Sequence, residues 1–600
     1  MQYVLYLAIL VLLAIPLGTY IEKVMNGKRT FLSKILTPCE NVIYKVLHIK
    51  TDEQMNWKKY AVSVGVFSGI GLLAVMLLQM LQGVLPGNPQ NLPGVKWDLS
   101  FNTAASFITN TNWQAYTGEA VLSYLTQAVG LTVQNFVSAA TGIAVLFALI
   151  RGFIKVKTDG LGSFWVDMTR IVVHILIPLN LVVSMCLVGG GVIQNLEGAE
   201  SVALVEPIAV SAEGEIIEGA EIHTETGEVT VDGRTVEGAV IVTEQFVPMG
   251  PAASQVAVKQ TGTNGGGYMG VNSAHPLENP NAFTNIIEML SILLIPAALC
   301  FTFGRSIKNK KQGIAIFAAM FICLVAALAV IGRSEQMAVP QLAQDGMVDI
   351  SEVSQAGGNM EGKETRFGIQ TSATWAAFTT AASNGSVNSM HDSYTPIGGM
   401  AEMLLMQLGE VIFGGVGCGL YGMLAFAILT VFIAGLMVGR TPEFLGKKIE
   451  PFEMKWAVVV CLATPVAILI GSGIAAVVPS VADSLNNSGA HGFSELLYAY
   501  SSCGGNNGSA FAGFNANTVF LNVSLGLVML SARFMPIVGT LAIAGNMASK
   551  KKVAATAGTL STTNAMFVFL LIFIVLLVGA LSFFPALALG PIAEFFESIG

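Results

Sequence analysis

The 600-residue chain is 53% hydrophobic and only 11% charged, with a formal net charge of −8. That composition excludes an ordinary soluble domain, and several apolar runs exceed the roughly 18 residues that cross a bilayer, so a polytopic membrane protein is expected. The negative charge offers no footing for nucleic acid, and the seven cysteines and six scattered histidines read neither as a disulfide framework nor as a metal site.

In chain order, the first apolar run, residues 3–20, has no basic leader or cleavage site and runs straight into lysines, so it reads as a retained membrane helix. Residues 22–59 carry Lys23, Lys28, Arg29, Lys34, Lys45, Lys50, Lys58 and Lys59, a density that marks a cytoplasmic loop. Nine more helices are expected near 60–81, 119–150, 170–192, 283–303, 314–331, 403–438, 455–478, 518–529 and 565–584. All Lys and Arg except Lys96, Arg234, Lys259, Arg333, Lys363 and Arg366 then fall in five segments on one side. Ten spans with both termini outside satisfy the positive-inside rule throughout, which places the protein in a plasma membrane. Arg440 and Arg533 read as closing the cytoplasmic ends of helices seven and nine. The acidic stretch 197–245, with alternating Val and Ile between turn pairs, reads as an external insert of short β-hairpins.

Four polar, glycine-rich runs interrupt this apolar pattern: Thr109-Asn110-Thr111-Asn112, Gly262-Thr263-Asn264-Gly265-Gly266-Gly267, Ser383-Asn384-Gly385-Ser386 and Gly504-Gly505-Asn506-Asn507-Gly508. Aligned on Asn110, Asn264, Asn384 and Asn506 they recur at spacings of 154, 120 and 122. A fixed period means a repeated unit. The division is 1–59, first helix and basic loop; 60–157, repeat one with pore loop 102–114; 164–311, repeat two with the insert and pore loop 252–267; 312–448, repeat three with pore loop 370–388; 455–552, repeat four with pore loop 493–511; and 553–600, last helix and tail. The fold expected is therefore all-α, four copies of helix, re-entrant pore loop, helix, with one extra helix at each end.

A re-entrant loop is tolerated at membrane depth only where protein buries it or where it lines a water-filled cavity. A short apolar stretch precedes each run, at 102–108, 252–258, 374–382 and 495–499, and could enter as a half-helix. Its carbonyl end would face inward and favour a cation. Glycine, Thr, Ser and Asn can then turn successive carbonyls toward a shared axis, as a potassium filter requires. The filter set is Asn110, Thr111, Asn112, Thr263, Asn264, Gly265, Ser383, Asn384, Gly385, Gly505, Asn506, Asn507 and Gly508, with Gln114, Gly266 and Gly267 as support. Gly414, Gly415, Gly417 and Gly419 lie in the middle of helix seven. They either let that helix pack closely or break it into a gate beneath the filter; Phe426, Arg440 and Arg533 complete the candidate gate and tunnel. Glu119, Glu288, Asp392, Glu402, Glu410 and Asp483 fall mostly near span ends, with no chain of carboxylates to relay protons.

The sequence contains neither a Gly-x-x-x-x-Gly-Lys-Ser/Thr loop nor an Asp-Lys-Thr-Gly-Thr phosphorylation motif, so no catalytic site is expected. Thr109-Asn-Thr-Asn-Trp-Gln-Ala-Tyr116, the glycine run at 262–267 and Gly505-Asn-Asn-Gly-Ser-Ala-Phe511 resemble the potassium-binding component of the Kdp potassium-transporting ATPases, the KdpA family. So do His275-Pro-Leu-Glu-Asn-Pro280, Gly439-Arg-Thr-Pro-Glu-Phe-Leu-Gly-Lys-Lys448 and Pro585-Ala-Leu-Ala-Leu-Gly-Pro591. The resemblance implies K⁺ as the transported ion and ATP used only through a P-type ATPase partner. It also implies a small single-span partner and often a further, tiny accessory membrane protein, with ions passing from the filter through an intramembrane tunnel to the pump. A stand-alone K⁺ channel or secondary transporter of the related superfamily is the other reading.

Overall fold

A computed structural model describes residues 2–599 apart from 212–215, 224–225, 237, 338–356, 410, 438, 440–441 and 554–558. Among the described residues ten helices are long and apolar enough to cross a membrane. They are Gln2–Met25, Trp57–Val84, Thr126–Ile154, Phe164–Gly189, Ala282–Ser306, Lys310–Glu335, Cys418–Met437, Pro451–Ala476, Val519–Ser549 and Ala565–Leu589, called spans one to ten below. Polar caps set several starts: Asn281 accepts from the amides of Phe283 and Thr284, Thr518 from Leu521, and Asn564 from Phe567.

Four shorter helices are the pore helices: Trp97–Ile108, Ala252–Thr261, Gly368–Ala381 and Gly489–Gly504. They are buried over most of their length, although their sequences are less apolar than most of the spans. The first packs on spans two and nine, and the fourth on spans eight and nine. Span one lies along span five, and span ten against spans six and seven, so both extra helices flank the repeats.

The structure corrects three expectations. Helix seven is not continuous: Pro396–Gln407 ends, a non-helical stretch follows, and span seven begins at Cys418. Helix nine runs 31 residues, to Ser549, well past 529. Arg533 and Pro536 mimic a helix end in the sequence, yet Pro536 sits inside the helix and Arg533 is buried in its middle rather than at its end. The basic loop 22–59 contains an amphipathic helix, Ser33–Val46, anchored where Glu40 meets Arg170 at 3.0 Å and His174 at 2.9 Å.

The insert forms an antiparallel ribbon of Glu200–Val210 and Val240–Val247 and a small three-stranded sheet of Glu221–His223, Glu228–Val231 and Arg234–Thr235. A two-residue hairpin, Glu443–Phe444 with Lys447–Lys448, follows span seven. Its Lys447 ammonium donates to the carbonyls of Gly152, Lys155 and Met547, closing the ends of spans three and nine.

The helix Pro591–Ile599 is tied back by His491, whose ring nitrogens lie 2.8 Å from Glu594 and 2.9 Å from Asp392. Burial would lower the His491 pKa, but its hydrogen bonds to Asp392 and Glu594 outweigh that and push it up to about 10. A pKa raised on folding stabilises fully below the unfolded value of 6.5, and the contribution disappears as pH rises through about 10. His491→Gln should therefore lower the thermal midpoint at pH 6 and hardly at all above pH ~10. A deficit that stays constant across that range, measured by melting in detergent, would contradict the charged bridge.

Candidate ion-binding site

Each pore helix delivers the chain to a loop whose first and third residues have positive φ. The pairs are Asn110 and Asn112, Thr263 and Gly265, Ser383 and Gly385, and Asn506 and Gly508. The second residue, Thr111, Asn264, Asn384 or Asn507, donates its N–H to the carbonyl five positions earlier, at 2.8–2.9 Å. This conformational register corrects the alignment on asparagines. Asn264 and Asn384 are second residues, whereas Asn110 and Asn506 are first, so the spacings are 153, 120 and 123. The repeat is defined by alternating backbone handedness; asparagine tolerates the left-handed first and third positions and also occupies the second, so it falls in different slots in different copies.

The loops close into a ring. At three junctions the carbonyl of the second residue abuts the third residue of the preceding loop: Asn384 against Gly265, Asn507 against Gly385, and Thr111 against Gly508. At the fourth junction Gly266, lacking a side chain, leaves room for Asn112. Side-chain amides lace the same four junctions. Asn110 donates to the Thr263 carbonyl at 2.7 Å, Asn384 to Lys259 at 3.0 Å, Asn507 to Thr379 at 2.8 Å, and Asn506 to Thr111 Oγ1 at 2.8 Å.

Supporting contacts hold the ring from behind. Gln114 pairs with both backbone groups of Gly267, accepting from its N–H at 2.8 Å and donating to its carbonyl at 3.0 Å. Gly267 has no room for a Cβ, which would meet the Met269 carbonyl at 2.5 Å. Trp375 Nε1 donates to the Ser386 carbonyl at 2.8 Å. Four pore-helix carbonyl ends thus converge on a buried ring of backbone and amide dipoles, an environment suited to a desolvated cation.

Beneath the ring, residues 408–409 and 411–417 lie in the break in helix seven. Gly409, Phe413, Gly414 and Gly417 all have positive φ. Val416 N–H donates to Thr263 Oγ1, and Gly414 N–H to the Ala381 carbonyl, both at 2.9 Å. Gly417 and Gly142 of span three are in backbone contact, and a Cβ on Gly419 would overlap the Phe413 carbonyl. Gly415 accepts from Gly419 N–H at 3.1 Å. Arg533 donates to Cys418 Sγ, so the break and the first residue of span seven together touch elements of all four repeats. A cavity of about 20 Å³ lies between Asn506 of loop four and Cys418, Tyr421, Thr464 and Arg533. Phe426 is buried two turns into span seven. Arg440 and Glu410 lie outside the described residues.

Sequence reasoning missed several buried polar groups around the ring. Lys259, assigned to an external segment, is fully buried in pore helix two and pairs with Glu278. Glu288 accepts from Ser273 at 2.7 Å and Gln260 at 2.9 Å, and His391 lies 2.8 Å from both Glu402 and Tyr498. For Lys259 the available signal was a charge inside pore loop 252–267.

The fold and the ring define a class: a polytopic membrane protein of four pore-loop repeats. In overall fold the chain is similar to the crystal structure of the potassium transporter TrkH from Vibrio parahaemolyticus. The TM-score is 0.50 at 10% identity, over 90% of this chain and 98% of that one. Residues 4–596 match the family profile of the potassium-transporting ATPase A subunit, and the chain belongs to that family. It is 67% identical to the potassium-transporting ATPase potassium-binding subunit of Clostridium botulinum (strain Eklund 17B / Type B) over 600 residues, 100% of this chain and 99% of the relative. The corresponding protein of Desulfovibrio desulfuricans is 59% identical over 597 residues, 99% of this chain and 98% of that one.

Proposed function

We propose that this chain is the potassium-binding and translocating subunit of an ATP-driven uptake complex, and that K⁺ is selected from the outside at the ring formed by loops 109–112, 262–267, 383–386 and 505–508. The observation that carries the reading is the closed ring of four loops, each with the same alternation of backbone handedness and each braced by its neighbour. Family membership supports K⁺ as the ion and an ATPase as partner. The partner is a P-type ATPase, accompanied by a single-span membrane protein and a small accessory one. The chain contributes no catalytic group; ATP acts through the partner.

Selection and gating are separate tasks in this reading. The ring replaces the hydration shell of K⁺. The broken helix at 411–417 plugs the straight path, the Arg533 guanidinium adds an electrostatic barrier, and ions turn sideways past the small cavity under loop four toward the pump. Both termini face outside in a bacterial plasma membrane, by the distribution of Lys and Arg.

Purification under conditions that retain partners tests the proposal. Recovery of a P-type ATPase whose hydrolysis is stimulated by external K⁺ is expected; K⁺ transport by the isolated chain with no ATPase bound would instead favour a stand-alone transporter. Within that complex, Gln114→Arg removes the acceptor for Gly267 N–H. Net loss of one or two hydrogen bonds is about 1–2 kcal/mol, so the half-saturating K⁺ concentration should rise roughly five- to thirtyfold with the complex intact. Unchanged K⁺ dependence would remove Gln114 from the filter's support.

A further inference from the structure

At one position of the pore helices the four repeats differ in kind. The residue whose carbonyl receives the second loop residue's N–H is Ser106, Lys259, Thr379 or Ser502. Three of them carry hydroxyls that serve their own loops. Ser106 Oγ donates to the Trp113 carbonyl at 3.0 Å, while Thr379 Oγ1 and Ser502 Oγ each accept a loop glycine N–H, from Gly385 and Gly508, at 2.9 Å. Repeat two has a lysine there, and its ammonium is fully buried.

The Lys259 ammonium lies 2.5 Å from Glu278 Oε2 and 2.6 Å from Asn272 Oδ1. Both partners come from the segment that returns after the loop. Glu278 Oε1 accepts from Met269 N–H at 2.7 Å. Asn272, at φ +60°, donates its side-chain amide to the Gly265 carbonyl at 2.9 Å. The Lys259 carbonyl accepts from Gly265 N–H at 3.0 Å and from the Asn384 amide at 3.0 Å. Gly265 is therefore bracketed: its N–H rests on the Lys259 carbonyl, and its C=O on an amide that the Lys259 ammonium orients.

We propose that the buried Lys259–Glu278 pair, acting through Asn272, is a positioning device that fixes the plane of the Gly265–Gly266 peptide and makes loop two a determinant of alkali-ion discrimination. The proposal rests on the reading of the ring as a K⁺ filter. Two adjacent glycines leave that peptide with no local restraint on its rotation. An ammonium can only donate, so it compels Asn272 to turn Oδ1 toward it and Nδ2 toward Gly265; the amide cannot flip. A hydroxyl in place of Lys259, as in the other repeats, could not reach Asn272, and the Ser273 N–H, 3.0 Å from Oδ1, would alone hold the amide against reversal. A buried ion pair is a poor source of stability, and a directional role accounts for its presence in one quadrant.

The test uses the intact complex and two variants. Asn272→Gly permits the positive φ and leaves the ion pair, but removes the amide. Lys259→Met with Glu278→Gln removes both charges, so neither is left buried alone. ATP hydrolysis is titrated with K⁺, Rb⁺ and Na⁺. Both variants should raise half-saturating K⁺ at least tenfold and shift the Rb⁺/K⁺ preference at least fivefold, with the maximal rate within twofold of the parent. Assembled variants with parental ion dependence and only a lower melting temperature would overturn the proposal by showing a purely structural pair; so would failure of both variants to assemble. Should only the double variant fail to assemble, Asn272→Gly decides the matter. A parent complex with no K⁺ stimulation would refute the filter reading itself, a separate outcome.

Discussion

Gly265→Ala should raise the half-saturating K⁺ concentration of the complex by at least tenfold, and Gly265→Asp by more, with discrimination against Rb⁺ and Na⁺ weakened in both. Gly265 has φ +85°, and a Cβ there would stand 2.5 Å from both the Asn384 carbonyl carbon and Ser386 N and would overlap the Asn384 carbonyl oxygen. The strain of a left-handed non-glycine residue is about 1–3 kcal/mol, and each 1.4 kcal/mol corresponds to roughly a factor of ten. Because the obstacle is the backbone of loop three rather than a mobile side chain, the ring itself must shift. The Gly265 carbonyl is engaged by Asn272, so the damage passes through the displaced Asn384 carbonyl as well as through Gly265 itself. K⁺- and Rb⁺-stimulated hydrolysis measured on assembled complex decides it; parental affinity and selectivity in Gly265→Ala would remove Gly265 from the ion-binding ring.

Deleting residues 415–417, or substituting Arg533→Ala, should open an ATP-independent K⁺ leak. The stretch 411–417 is held under the ring by Val416 N–H on Thr263 Oγ1 and Gly414 N–H on Ala381, and Arg533 lies beside it on Cys418. At an effective dielectric of about 20, a fixed positive charge roughly 4 Å from a passing cation raises its energy by up to about 4 kcal/mol, which corresponds to at most about a thousandfold in flux. We expect a leak ten to a thousand times above the parent in liposomes without ATP, still selective for K⁺ over Na⁺ because the ring is untouched. Variants that assemble, stay selective and remain tight would place the gate elsewhere.

The ten spans were legible in the sequence because membrane insertion is local physics: a long apolar run must satisfy its own backbone, and only a helix does so. The four polar runs were legible for the complementary reason, that Gly, Asn and Thr inside apolar sequence demand an irregular backbone. Their register was not. Asn110 and Asn264 look equivalent as letters, but Asn110 is a left-handed first residue and Asn264 a second residue, and only backbone handedness distinguishes them.

Charges were misplaced for a related reason. Arg533 and Lys259 read by sequence rules as an inside anchor and an outside residue, because those rules assume that a cation seeks water. Both are instead buried by partners the fold supplies, Arg533 by Cys418 of another repeat and Lys259 by Glu278 and Asn272 of the segment returning after its loop. The break in helix seven lay between: glycines at 414, 415, 417 and 419 permitted it, but glycine also serves close helix packing. The contacts of Val416 with Thr263 and of Gly414 with Ala381 decided between the two uses. What the sequence by itself determined is whatever each segment's own hydrophobicity and backbone freedom dictate: the spans, the irregular loops and their fourfold recurrence. What only the tertiary structure decided is whatever depends on partners brought together by the fold: the closure of the ring, the packing of the broken helix beneath it and the burial of Lys259 and Arg533.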